Sequence, residues 1–109
     1  MKEILIEIDR LAEEEMERAN KIHPMFHSDH EGWAVLQEEI EEATDSMKTV
    51  HIDSEKLWEA VKNDDKEFSC EMAQHIRHFA EYAAAELIQV IAMCDKFIES
   101  QEVRNEHRD

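Results

Sequence analysis

Glu86 interrupts an apolar stripe that otherwise runs Met72, His75, Phe79, Tyr82, Val90, Met93 and Phe97. A charged glutamate is almost never buried unless it is paired or bound to a metal. Two readings follow: a salt bridge to a base on a neighbouring helix, or a metal ligand. A second set of acids lies upstream, in Glu38-Glu39-Ile40-Glu41-Glu42. At ~100° per residue, Glu39 and Glu42 fall about 60° apart on one flank of a helical apolar stripe. Like charges at that spacing repel unless something compensates. A divalent cation compensates them, and carboxylate oxygens are what Mg²⁺ prefers. Glu38, Glu41 and Asp45 suit an acidic face turned to solvent.

The chemistry available to such acids is bounded by the rest of the composition. The chain has 109 residues, one glycine and one proline, so it carries no Gly-rich loop to cradle a phosphate. Charge on a phosphorylated substrate would have to be neutralised by metal ions instead. With 28 acids against 12 bases the net charge is -16. That excludes nucleic-acid binding through a basic surface and leaves no basic face for an anionic membrane. It also leaves open an acidic decoy that mimics nucleic acid. No Ser/His/Asp or Cys/His nucleophile arrangement is present. His75 and His78 lack a third zinc ligand at suitable spacing, and His75 reads as a core histidine. A ferritin-like dimetal site needs Glu-x-x-His, which does not occur.

The elements that must position these acids are helices. Hydrophobic residues make up 42% and charged residues 37%, with too few turn formers for a sheet protein. The prediction is one all-α domain over residues 1–109, a bundle of about four helices. The first runs from about Lys2 to Ile22 and is ended by Pro24. The second starts after Ser28, where Ser28-x-x-Glu31 forms a capping-box pattern. Its stripe is Trp33, Leu36, Ile40, Ala43, Met47 and Val50, and it is expected to stop near Thr49. A short third element follows, capped by Asp53 or Ser54 and ending near Asn63. Asp64-x-x-Glu67 predicts the start of a long C-terminal helix, from about Lys66 to Ser100, with frayed residues after Gln101. That helix has a second apolar stripe: Ile76, Ala80, Ala83, Leu87, Ile91, Cys94 and Ile98. Two stripes predict a helix shared with another subunit, in a dimer or larger assembly.

Glu38-Glu39-x-x-Glu42 on one helix and a Glu-x-x-Asp-like site at Glu86 on a later helix resemble the MazG-like, all-α nucleoside triphosphate pyrophosphatases. The flanks His30-Glu31-Gly32-Trp33-Ala34-Val35-Leu36-Gln37 and Leu87-Ile88-Gln89-Val90-Ile91-Ala92-Met93 resemble small phage and bacterial members. The resemblance covers roughly Phe26 to Phe97. It implies a Mg²⁺-dependent hydrolase that splits a nucleoside or deoxynucleoside triphosphate into monophosphate and pyrophosphate. By position, Glu39, Glu42 and Glu86 would be metal ligands, and Glu38 a supporting carboxylate or water-activating base. The family's aspartate falls at Gln89, whose amide oxygen coordinates Mg²⁺ but brings no charge. His27 lies in a loop that related enzymes use near the nucleobase; alternatively Phe26 packs as a staple and His27 is solvated. Trp33 either stacks on a base or joins the core. The 18 residues from Thr49 to Lys66 are expected to form a local lid or packing piece. A homodimer or homotetramer is implied. The alternative is a non-catalytic helical module, for nucleotide binding or protein interaction, on the same scaffold; Gln89 favours it.

The start, Met1-Lys2-Glu3-Ile4-Leu5-Ile6-Glu7, lacks the pattern of a signal peptide. No apolar stretch approaches the ~20 residues of a membrane span. Cys70 and Cys94 fall roughly 36 Å apart along one helix, beyond disulfide reach. Reduced thiols and a cytoplasmic location are expected, with both cysteines as small core residues.

Overall fold

The computed structural model describes residues 1–106. They form three helices and no strand: α1 (Lys2–Ile22), α2 (Asp29–Lys62) and α3 (Lys66–Glu106). The all-α expectation holds, with three helices in place of about four. The predicted second and third elements are one helix. No glycine or proline interrupts the chain between Trp33 and Lys62, so nothing forces a stop at Thr49. Asp53 and Ser54 are competent caps, but a cap starts a helix only where the preceding backbone leaves helical geometry. Asp53 instead points inward and is only 4% exposed. The stretch expected to form a lid or packing piece is therefore the last part of α2 and its turn, with Asp53 and Ala60 buried.

The helix ends are set by local chemistry. α1 stops at His23, which is extended (φ -131°, ψ 115°) because Pro24 follows. Ser28 Oγ accepts from the Glu31 backbone N–H at 3.1 Å, the cap foreseen for α2. Glu31 reaches back in turn, accepting from the His27 N–H at 3.3 Å. At the far end of α2 the Asp65 N–H bonds the Ala60 carbonyl and the Asp64 N–H bonds that of Val61. This pairing requires a left-handed residue at Asp64, whose φ is 53°. The cap of α3 is Asp65, with Oδ1 accepting from the Phe68 N–H at 3.1 Å. Asp64 was the predicted cap; its left-handed backbone gives it the closing role instead. α3 continues helical past Ser100 to Glu106, and residues 107–109 of the expected frayed tail lie outside the described residues.

Two compact units divide the fold. The first joins Met1–Ile40 to the part of α3 that begins at Leu87. Its core is Ala12, Phe26, Ala92 and Met93, flanked by Met16, Ala19, Val35, Leu36, Ile88, Ile91 and Phe97. Gly32 is buried here for a steric reason. A Cβ on it would stand 2.5 Å from Phe97 Cδ2 and 3.0 Å from Phe26 Cδ2. The single glycine thus lets α2 approach two aromatic rings. Ser100, also buried, accepts from the Phe26 N–H at 3.0 Å and donates to the Lys96 carbonyl at 2.7 Å.

The second unit, Glu41–Glu86, is a helical hairpin. Ala43, Ala60, Met72, Ala83 and Asp53 are buried in it. The small alanines permit close approach, but a hairpin of two helices covers one face of each. Ile52, Trp58, Val61 and Tyr82 remain more than half exposed.

Several residues expected in the core lie elsewhere. Trp33 is 61% exposed, and Ile40 and Met47 are also exposed, so α2's predicted stripe is covered at Ala43 and only partly at Leu36 and Val50. On α3, Met72 and Met93 of one stripe and Ala83 of the other are buried, whereas Tyr82, Leu87 and Ile98 are not. Cys70 is exposed and Cys94 half-buried, both free. His75 is exposed too; its Nδ1 stands 3.6 Å from Asp53 Oδ2. A shared stripe does not meet a packing partner along its whole length, and the exposed residues lie where it does not. No described helix is long and apolar enough to cross a membrane.

Candidate functional site

The first unit holds a cavity of about 440 Å³ that is partly open to solvent. Each helix contributes residues at helical spacing. α1 gives Ala19 and Ile22, α2 gives Glu31, Val35 and Glu39, and α3 gives Gln89, Met93 and Lys96; Phe26 and His23 close it from the α1–α2 connection. Residues three or four apart share a helix face, so two rows of side chains point into one space. Apolar walls with a few convergent polar groups are the general character of small-molecule sites.

Two predicted ligand positions meet here. Glu39 is half-buried and lines the cavity with Gln89. The Gln89 amide is held from the side: its Nε2 donates to Glu15 Oε2 at 2.7 Å. Glu15 in turn pairs with Arg18. An amide that spends its NH₂ on Glu15 keeps its oxygen for another partner. Glu39 and Gln89 thus supply a donor set made only of oxygen. Mg²⁺ takes one or two carboxylates plus substrate phosphates and keeps several waters, so such a set fits it.

The other two ligand positions belong to the hairpin unit. Glu86 is half-buried, and Ser46 Oγ donates a hydrogen bond to its Oε1. No basic nitrogen among the described residues forms an ion pair with Glu86. The charge that looked misplaced in the stripe is solvated by a hydroxyl. Glu42 is exposed, as is Glu38. Among the described residues no group of three or more His, Cys, Asp and Glu stands close enough to share an ion. Of the two substrate-contact candidates, His27 is exposed. Trp33 borders a shallow hollow of about 280 Å³ with Asp29 and His30.

Lys96 and Glu31 are the members of the cavity that the sequence did not point to in this role. Lys96 is only 3% exposed. Its Nζ donates to the His23 carbonyl at 2.9 Å and lies 4.7 Å from the centroid of the Phe26 ring. Burial pushes the Lys96 ammonium below its ordinary pKa, while the nearby Glu31 carboxylate opposes that shift. One signal was available: Lys96 is the sole Lys or Arg between Phe79 and Ser100, set in an apolar run. Glu31 was legible only as half of a capping pattern.

No protein-family model, curated protein or solved structure matched the chain.

Proposed function

We propose that this chain is a Mg²⁺-dependent pyrophosphohydrolase of nucleoside or deoxynucleoside triphosphates, on a MazG-like helical scaffold. The observation that carries the reading is the pairing of Glu39 with Gln89 in one apolar-walled cavity. These are the positions at which the motif resemblance puts metal ligands. With Mg²⁺ bound, the ion would neutralise the phosphates and polarise the bond that one water splits between the α- and β-phosphates. The chain's own tasks are simpler. Glu39 and Gln89 would hold the ion that faces the triphosphate, with Glu15 fixing the amide of Gln89. The apolar walls would exclude water from the rest. The motif resemblance alone assigns Glu42 and Glu86 as further ligands and Glu38 as a supporting or water-activating carboxylate. The reading places the protein in the cytoplasm.

We also infer a homodimer or larger assembly. The exposed Ile52, Trp58, Val61 and Tyr82 of the hairpin unit support it, because a second copy of the same hairpin covers such faces. Light scattering at micromolar concentration tests this, and a monomer there refutes it.

A panel of nucleoside triphosphates with millimolar Mg²⁺ tests the activity. Pyrophosphate release from at least one is expected, lost in Glu39→Gln with the helical circular dichroism retained. Orthophosphate as first product, or no turnover, overturns the proposal. A non-catalytic nucleotide-binding module is the second reading, favoured by the engagement of Gln89 with Glu15. It predicts a raised melting temperature with nucleotide and no product.

A further inference from the structure

The cavity has two chemically different ends on facing helices. Glu39 and Gln89 mark one, and Glu31 and Lys96 the other. Glu31 and Glu39 are eight residues apart on α2, about 12 Å along the helix. That is a nucleotide's scale rather than a phosphate's.

At the second end a buried ammonium stands near a carboxylate without forming an ion pair with it. Lys96 Nζ has three N–H donors, and His23 takes one. Glu31 is held by the His27 N–H through Oε2 but retains lone pairs on both oxygens. A buried charge normally finds a partner. Here the partners are the His23 carbonyl and the Phe26 ring, which leaves two N–H donors for a ligand lying toward Glu31. An anion at this end would meet the Glu31 carboxylate. A cation would meet Lys96. The complement is a neutral, planar group with an acceptor beside two donors. Guanine has that edge: O6 for Lys96, and N1–H with the N2 amine for the Glu31 carboxylate. Uracil and thymine would turn a second carbonyl toward the carboxylate. Adenine and cytosine would offer it one donor.

We infer that the Glu31–Lys96 end of this cavity is a guanine-recognition site, with the ring seated among Phe26, Val35 and Met93. This inference rests on the nucleotide reading of the cavity proposed above.

Calorimetric titration with nucleosides tests it separately from catalysis, since neither phosphate nor Mg²⁺ is present. Guanosine should bind. Inosine, which lacks the N2 amine, should bind about 10-fold or more weakly, the usual size for losing a hydrogen bond to a charged group. Adenosine, cytidine and uridine should be weaker still. Glu31→Gln keeps an acceptor for the His27 N–H and should erase the guanosine–inosine difference. Lys96→Met should weaken both alike, because both carry O6; thermal melts of each variant confirm that it is folded. No guanosine binding up to millimolar, equal binding of adenosine, or an unchanged guanosine–inosine ratio in Glu31→Gln overturns the inference. Guanosine bound as described with no triphosphate cleaved refutes only the hydrolase. Cleavage with no preference among bases refutes only guanine recognition.

Discussion

Gln89 on α3 donates from Nε2 to Oε2 of Glu15 on α1 across 2.7 Å, and this bond explains why an amide rather than an acid stands at position 89. A carboxylate there would meet the carboxylate of Glu15. Gln89→Asp should therefore cost about 2 kcal/mol in the absence of metal, from a lost charge-assisted bond and new repulsion. Glu15→Gln should return most of that loss in the double variant. If Gln89 also faces Mg²⁺, adding the ion should stabilise Gln89→Asp more than the parent. Urea melts with and without Mg²⁺ measure both effects, and an unchanged deficit in the Glu15→Gln background refutes the repulsion.

Gly32→Ala tests the close approach of α2 to Phe97. Alanine favours a helix over glycine by about 1 kcal/mol. Here the added methyl would meet a ring carbon at 2.5 Å. Overpacking of that kind costs about 1–3 kcal/mol, so the net expectation is a loss of stability. Phe97→Leu in the same background should recover part of it. A gain in thermal midpoint for Gly32→Ala alone would contradict the packing.

Lys96 sets a pH dependence of definite sign. Burial, partly offset by Glu31, lowers its folded pKa below the unfolded value of about 10.4. Below the folded pKa both states carry the proton, and the cost of burying the charge is present in full. Between the two values the unfolded state holds more protons, so stability rises with pH. The difference in unfolding free energy between the parent and Lys96→Met should shift in the parent's favour from neutral pH toward pH ~10. Urea melts of both proteins across that range decide it, and a flat difference would refute the linkage.

The two thiols should separate by reagent. Cys70 is exposed, whereas Cys94 is half-buried and its pKa is raised, first by burial and then by Asp95. Alkylation at pH 8 should modify Cys70 about 10-fold faster or more. Mass spectrometry of quenched samples reads the order, and equal rates would contradict the burial of Cys94.

What was legible in the sequence follows from the range of each signal. α1 and the starts of α2 and α3 rest on Pro24, Ser28 and neighbouring aspartates, all local, and they were read to within a residue or two. The stop at Thr49 failed because Asp53 has the same cap chemistry whether it opens a helix or turns inward. Trp33 is exposed although it shares the stripe, because a stripe tells which residues share a face, not which face meets a partner. Glu39 and Gln89, singled out by a motif, line the same cavity. Lys96 was passed over because periodicity ranks a lysine as solvent-facing, and only tertiary packing puts it beside His23 and Phe26.

The three-residue turn Asn63-Asp64-Asp65 has a kinetic corollary. It closes the hairpin unit from neighbouring sequence, whereas the first unit must bring Met1–Ile40 together with residues from Leu87 onward. Loop-closure entropy makes the local contacts form first and the distant ones later. Substitutions around Asp64 should thus slow folding, and those at the Glu15–Gln89 contact should chiefly speed unfolding. The cavity of the first unit would be the last part of the protein to be assembled and the first to be lost.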